Sequence, residues 1–122
     1  IISKLNKSKI RTSLFIDPSK QNIKISKEIG TKCVELHTGK ISILVKNGAK
    51  FSNELKRIKA ASKLAFKHGI EVHAGHGLDY QTTKILRKIS YIKEFNIGHF
   101  IIGESLDSGM SSIIKKFKKI VK

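Results

Sequence analysis

The segments Glu35-Leu36-His37-Thr38-Gly39, Ala74-Gly75-His76-Gly77-Leu78 and Asn96-Ile97-Gly98-His99 decide the fold expected of this chain. Each of them closes an apolar run that is typical of a β-strand. In parallel α/β architectures, ligands bind at the carboxyl ends of the strands, where loops aim side chains and free backbone N–H groups at one point. Three such segments at successive strand ends therefore predict the rim of an active site.

The composition describes one globular domain. Its 122 residues are 39% apolar, which is enough for a hydrophobic core. The sequence has no stretch of about 18 uncharged apolar residues and no apolar secretory signal at its N-terminus, so it predicts a cytoplasmic protein with no membrane partner. The single cysteine, Cys33, cannot form an intrachain disulfide, and its apolar neighbours predict core packing rather than a nucleophile.

The net charge of +16 attracts polyanions, so a basic nucleic-acid-binding domain is one alternative. However, only Arg11, Arg57 and Arg87 are arginines, and bidentate recognition of phosphates and base edges favours arginine over lysine. The lysines are spread over every predicted helix, and aromatic residues for base stacking are few. A general drift towards lysine explains the charge better than a nucleic-acid partner, although a positive field can still steer small phosphorylated anions into a cleft.

Strand-like and helix-like runs alternate four times from residue 11 onward. Short apolar runs predict strands at 12–16, 33–36, 70–74 and 92–97. Helical spacing of apolar residues predicts helices from about 17–19 to 29, over 51–68, over 81–89 and over 108–121, with a short extra helix at 99–105. Residues 40–50 are predicted to form a loop. At the first helix, Asp17 or Ser19 can cap the N-terminus, and Pro18 suits the first turn.

This alternation predicts an α/β fold with four parallel strands and flanking helices. Residues 11–122 would supply four βα units, which is half of a (β/α)8 TIM barrel of about 250 residues. Residues 1–10 have no strand before them and are predicted to be the end of a truncated preceding helix. An open sheet exposes two unpaired edges, so we expect a fragment or one half of an assembly rather than a monomer.

Glu35 and His76 are the candidate catalytic residues. The carboxylate of Glu35 lies within an apolar strand, where it can stabilise positive charge on a nitrogen or relay a proton, or can form a structural salt bridge. His76 stands between two glycines, which leave the backbone free to approach a ligand, and imidazole transfers protons near neutral pH. An ordinary loop histidine with turn glycines is the alternative.

His37 and His73 are predicted to be structural, and a metal site is the alternative for the histidine-rich rim. His73 is predicted to pack in the core, and His37 is predicted to be a hydrogen-bonded core histidine rather than an orienter of other groups. Glu71, His73 and His76 could in principle hold a metal ion. The spacing argues against this, because His76 lies beyond a glycine turn and no cysteine or H-E-x-x-H helix supports the set. No metal is expected.

Gly77, Gly98 and His99 are the candidate phosphate ligands. Gly98 and His99 precede the short extra helix, whose N-terminus would offer unpaired N–H donors and a positive dipole end. In barrels, the phosphate site is often built by the loops after strands seven and eight together with such a helix. Gly77 and Gly98 occupy these two places if the chain is a C-terminal half.

The segments Ser13–Asp17, Glu35–Gly39, Ala74–Leu78 and Asn96–Gly103 together resemble the C-terminal half of the pyridoxine 5'-phosphate synthase family, in order and spacing, over roughly residues 11 to 120. The resemblance implies a (β/α)8 barrel that condenses 3-amino-2-oxopropyl phosphate with 1-deoxy-D-xylulose 5-phosphate. The products are pyridoxine 5'-phosphate, phosphate and water, and no metal or organic cofactor is used. It also implies a cytosolic homo-oligomer, generally an octamer.

The same resemblance implies roles for individual residues. Glu35 would stabilise charged intermediates during Schiff-base formation and ring closure, and His76 would act as a proton donor. Gly77, Gly98 and His99 would bind 3-amino-2-oxopropyl phosphate. These roles agree with the chemistry expected of each residue on its own.

The sequence also departs from the family pattern. The loop at 40–50 is rewritten, and Glu104 stands where the family tends to have arginine. The first four βα units of the family, which hold a glutamate base, a second histidine and an arginine for the pentulose phosphate, have no counterpart here. The isolated chain is therefore expected to be inactive. The alternative is a decayed half-barrel that retains only phosphate binding at Gly77, Gly98 and His99.

Overall fold

One parallel sheet organises the chain, of which the computed structural model describes residues 1–122. The strands β1 (Ser13–Ile16), β2 (Cys33–His37), β3 (Glu71–Gly75) and β4 (Ile92–Asn96) pair in sequence order, all parallel. The helices are α1 (Ile2–Lys7), α2 (Lys20–Glu28), α3 (Gly39–Lys46), α4 (Ser52–Lys67), α5 (Tyr80–Leu86), α6 (His99–Ser108) and α7 (Met110–Val121). The α/β class with four parallel strands and flanking helices is confirmed, and it corresponds to half of a TIM barrel.

Local signals place most of these elements where the sequence predicts them. Ser19 caps α2, since its Oγ accepts a hydrogen bond from the Asn22 N–H at 3.1 Å. Pro18 lies before this cap and not in the first helical turn, because the Ser19 backbone is still extended. Gly69 follows α4 with a φ of 71°, a left-handed conformation that glycine adopts without strain. No helix in the chain is both long enough and apolar enough to span a bilayer.

The prediction of a loop at 40–50 is wrong, because α3 occupies most of this range. Ile41 and Val45, one helical turn apart, are buried and belong to the hydrophobic core. Ser42 is also buried, and its hydroxyl donates to the Thr38 carbonyl oxygen at 2.9 Å. Eight residues give too few turns for a clear helical period in the sequence. The stability of this helix depends on the hydrophobic core that Ile41 and Val45 join.

The two faces of the sheet differ in chemistry, since successive residues of a strand point to opposite sides. The helix-covered face is apolar, with the buried residues Val34, Leu36, Val72 and Ala74 at its centre. The strand register places the opposite set of residues together on the other face: Phe15 on β1, Cys33, Glu35 and His37 on β2, Glu71, His73 and Gly75 on β3, and Glu94 and Asn96 on β4. This second face, called the open face below, is polar.

Arg57 ties the carboxyl end of β1 to α4. Its guanidinium contacts both carboxylate oxygens of Glu54, which is only 4% exposed, and both oxygens of Asp17, with a shortest distance of 2.5 Å. The hydrogen bond from Arg57 lowers the pKa of Asp17 below its ordinary value. Asp17 therefore stabilises the fold above that ordinary pKa of 3.8, and this contribution is lost as the pH falls through the lowered value.

Arg57→Ala is expected to lower the free energy of unfolding by about 2 kcal/mol. Breaking a buried ion pair typically costs ~3–5 kcal/mol, and Lys40, with Nζ 3.5 Å from Glu54 Oε2, compensates part of that loss. Urea denaturation followed by circular dichroism measures the change. Arg87→Ala, which removes an exposed arginine without a salt bridge, serves as the control. Equal destabilisation by both variants would contradict the role of Arg57.

Candidate functional site

The ends of three neighbouring strands form one rim. His37, Gly75 and Asn96 lie side by side in the strand register, and the chain turns away from the sheet after each of them. A cavity of about 470 Å³ opens here. Its walls are His76, Gly77, Leu78, Asn96, Ile97, Gly98, His99 and Phe100. Four of the five predicted site residues therefore line a single cavity.

Glu35, the fifth predicted residue, reaches this cavity through a neighbour. Its Oε2 accepts a hydrogen bond from Asn96 Nδ2 at 2.6 Å, and Asn96 belongs to the cavity wall. The carboxylate crosses the backbone of β3 at Gly75, where it lies so close that an added Cβ would overlap it. Glu35 thus lies on the open face directly beside the rim.

His76 has an unusual backbone and a stacked ring. Its φ of 76° is rare for a residue with a side chain, and such conformations are often found at functional sites. The imidazole stacks on that of His37, with ring centroids 4.5 Å apart and planes inclined by 26°, while Phe15 packs against both rings. The prediction of a hydrogen-bonded core histidine at His37 is wrong, because the half-buried ring packs against His76 instead.

The other side of the cavity is the N-terminus of α6. Gly98 precedes the helix, no side chain caps its first turn, and the space around Gly98 is open. The first N–H groups of a helix have no partner within it, and they carry the positive end of the helix dipole. Gly77, across the cavity, has a φ of 74°. His99 is exposed at the first helical position, so the site presents the donors that an anion needs.

Three residues of the rim were not assigned from the sequence. Asn96 is one of them. The sequence could have indicated it by its position near the end of the fourth strand, and the strand register places it beside Gly75. Gly39 is the second, because a Cβ there would stand 2.8 Å from His76 Cδ2 and 2.7 Å from His37 Cε1. Thr38 is the third, since its hydroxyl lies within hydrogen-bond distance of two backbone carbonyls of the next strand end. Each depends on contacts between strands that local sequence does not show.

A second polar cluster lies at the opposite ends of the strands. Ligand atoms of Cys33, Glu71 and His73 lie within 4.8 Å of one another, so a cysteine lies beside two of the three residues that the sequence analysis considered as metal ligands. His76 is not part of this cluster. The positive charge at this cluster comes from Arg11. Its Nε donates to Cys33 Sγ at 2.8 Å, and its Nη2 contacts Glu71 at 2.5 Å. Hydrogen bonding to His73, assisted by Arg11, lowers the pKa of Glu71.

Glu104 lies away from the cavity. It is exposed on α6, five residues after His99, which corresponds to about 7.5 Å along the helix axis. It is not part of the cavity wall.

Comparison with known proteins decides the family. The family model described as pyridoxal phosphate biosynthesis protein PdxJ matches residues 1–122. The chain belongs to the PdxJ family. It is 62% identical over 120 residues to the pyridoxine 5'-phosphate synthase of Pelagibacter ubique, covering 98% of the chain and 50% of the relative. It is 41% identical over 122 residues to that of Bdellovibrio bacteriovorus, covering the whole chain and 50% of the relative.

The chain spans about half the length of the curated PdxJ relatives that it matches. A third, the pyridoxine 5'-phosphate synthase of Sulfurihydrogenibium, shows the same proportion, with 98% of the chain covering 49% of the relative at 41% identity. This proportion agrees with four βα units, half the number in the (β/α)8 barrel that the resemblance implies.

Proposed function

We propose that this chain provides half of a pyridoxine 5'-phosphate synthase active site. The observation that carries the proposal is the single cavity lined by His76, Gly77, Gly98 and His99, with Glu35 bound to its wall through Asn96. In the full reaction, 3-amino-2-oxopropyl phosphate and 1-deoxy-D-xylulose 5-phosphate give pyridoxine 5'-phosphate, phosphate and water. A cytoplasmic homo-oligomer is part of the proposal.

The phosphate of the amino ketone would lie at the N-terminus of α6. Unpaired N–H groups after Gly98 and the backbone of Gly77 would donate to its oxygens, and His99 would add a side-chain donor. Gly98 leaves the approach open, since no atom lies within 4 Å of the position that a Cβ would take there. The net charge of +16 would raise the local concentration of such anions.

Glu35 and His76 would serve the steps that follow. Attack of an amine on a ketone gives a carbinolamine, and loss of water from it needs a proton donor for the departing hydroxyl. His76, exposed at the cavity, would supply that proton. The iminium nitrogen that forms carries positive charge, which the carboxylate of Glu35 would stabilise. Asn96 would hold this carboxylate in place.

The isolated chain is expected not to complete the condensation. No residue here matches the glutamate base, the second histidine or the pentulose-binding arginine that the family resemblance implies. The test is a chimera in which this chain replaces the matching half of the Pelagibacter relative. We expect the chimera to form pyridoxine 5'-phosphate from the two substrates and the chain alone to form none. A folded but inactive chimera, measured beside an active parent relative, would overturn the proposed function. Formation of product by the chain alone would overturn the proposal that it provides only half of the active site.

Phosphate binding is expected to survive in the isolated chain. A small phosphate ester, titrated by calorimetry, should bind saturably, and His99→Ala should weaken binding about fivefold to tenfold through loss of one hydrogen bond. His68→Ala, at the C-terminal end of α4, is the matched control and should leave the affinity unchanged. Saturable binding together with an inactive chimera would favour a half-barrel that retains only its phosphate site. The absence of a difference between the two variants would contradict the assignment of His99.

A further inference from the structure

The backbone of His76 needs an external restraint. Only His76 and Lys9 among the residues with side chains have a positive φ. Such a conformation is strained and persists only where neighbouring groups hold it. Lys9 lies in an exposed turn after α1, whereas His76 lies at the cavity between β3 and α5. A neighbouring group must therefore stabilise the His76 backbone beside the cavity.

Thr38 supplies this restraint from the neighbouring strand end. It is fully buried, and its N–H donates to the Gly75 carbonyl oxygen at 2.8 Å. Its hydroxyl lies 2.7 Å from the same oxygen and 2.9 Å from the carbonyl oxygen of His76. One side chain thus contacts the two consecutive carbonyls that flank the strained φ. The Thr38 hydroxyl makes no other hydrogen bond that would compete with these two contacts.

The residues on either side of Thr38 pack against the imidazole of His76. His37 stacks on the His76 ring at 4.5 Å, and Gly39 leaves free the space that the ring edge occupies. The three consecutive residues therefore contact the ring, the backbone and the edge of His76. A shift of the His76 carbonyl would move the ring off His37 and away from the position facing the cavity.

We propose that Thr38 is a positioning residue that holds His76 in its left-handed conformation and so fixes the imidazole at the cavity. The functional part of this inference rests on the proposed function, in which His76 is the proton donor. The conformational part stands on the contacts alone. Thr38 itself touches neither the cavity nor any reacting atom.

Thr38→Val and Thr38→Ser separate the hydroxyl from the shape of the side chain. In the isolated chain, the ¹H–¹³C signal of the His76 ring, assigned by its loss in His76→Asn, should shift or broaden in Thr38→Val and return in Thr38→Ser. In the chimera, kcat should fall about tenfold in Thr38→Val with little change in KM for the amino ketone phosphate, and Thr38→Ser should recover most of it. An unchanged ring signal in Thr38→Val would overturn the proposal.

Thr82→Val is the matched control, because Thr82 is also fully buried but its hydroxyl has no hydrogen-bond partner. It should change neither the ring signal nor kcat. A double-mutant cycle with His76→Gly covers the case in which Thr38→Val destabilises the fold. Glycine adopts a φ of 76° freely, so the stability lost by Thr38→Val should be smaller in that background. An equal loss in both backgrounds would overturn the proposal, whereas an inactive chimera with the expected ring shifts would count against the proposed function only.

Discussion

The chimera that carries Glu35→Gln is expected to turn over about 10²- to 10³-fold more slowly than its parent. Glutamine keeps the length of the side chain, and its carbonyl oxygen can still accept the 2.6 Å hydrogen bond from Asn96 Nδ2. The variant therefore removes the negative charge and leaves the position intact. The loss should fall on kcat, because the charge acts on the iminium formed during the reaction and not on the bound phosphate.

Two further variants show whether charge or position limits the rate. Asn96→Ala frees the Glu35 carboxylate from the cavity wall, so its kcat should lie between those of the parent and Glu35→Gln. Glu28→Gln removes a carboxylate from the exposed face of α2 and should have no effect. The rates come from steady-state kinetics of pyridoxine 5'-phosphate formation. A Glu35→Gln chimera within twofold of its parent would contradict the role assigned to Glu35.

The sequence predicted the strands because each is a short, mostly apolar run that ends at a turn or cap signal, which is Asp17-Pro18-Ser19 after the first strand and a nearby glycine after the other three. The observed β2 and β3 end one residue later than predicted, at His37 and Gly75, and both ends form the rim. The polar ends of β2, β3 and β4 converge because parallel strands in sequence order carry their carboxyl ends to the same edge. Local pattern and topology were thus sufficient to bring His76, Gly77, Gly98 and His99 together.

The contacts that sequence reasoning missed join residues far apart in the chain. Arg11 lies 62 residues from His73, and Glu35 lies 61 residues from Asn96. Such pairs depend on the exact register of neighbouring strands, and a shift of one residue would turn the side chains to the other face. The apolar pattern limits register but does not reveal which polar groups meet on the open face. For the same reason, the stacking of His37 on His76 was not foreseen.

Gly75→Ala is expected to reduce kcat of the chimera about 10²-fold while lowering the free energy of unfolding by only about 1 kcal/mol. The added methyl group would take the place of the Glu35 carboxylate, which lies at the end of a flexible side chain and can move away. Displacement breaks the bond to Asn96 and withdraws the charge from the cavity wall. The backbone of β3 needs no adjustment, since Gly75 does not have a positive φ. Gly103→Ala, within α6 and facing open space, should leave kcat unchanged and slightly stabilise the chain.

The combination of Gly75→Ala with Glu35→Gln isolates the cause of the loss. If the methyl group acts by displacing the carboxylate, it has nothing further to remove once the charge is gone, so the double variant should be about as slow as Glu35→Gln alone. Steady-state kinetics of the four chimeras, with unfolding curves for each, complete the cycle. If Gly75→Ala lowered kcat as strongly in the Glu35→Gln background as in the parent, its effect would come from the strand and not from Glu35.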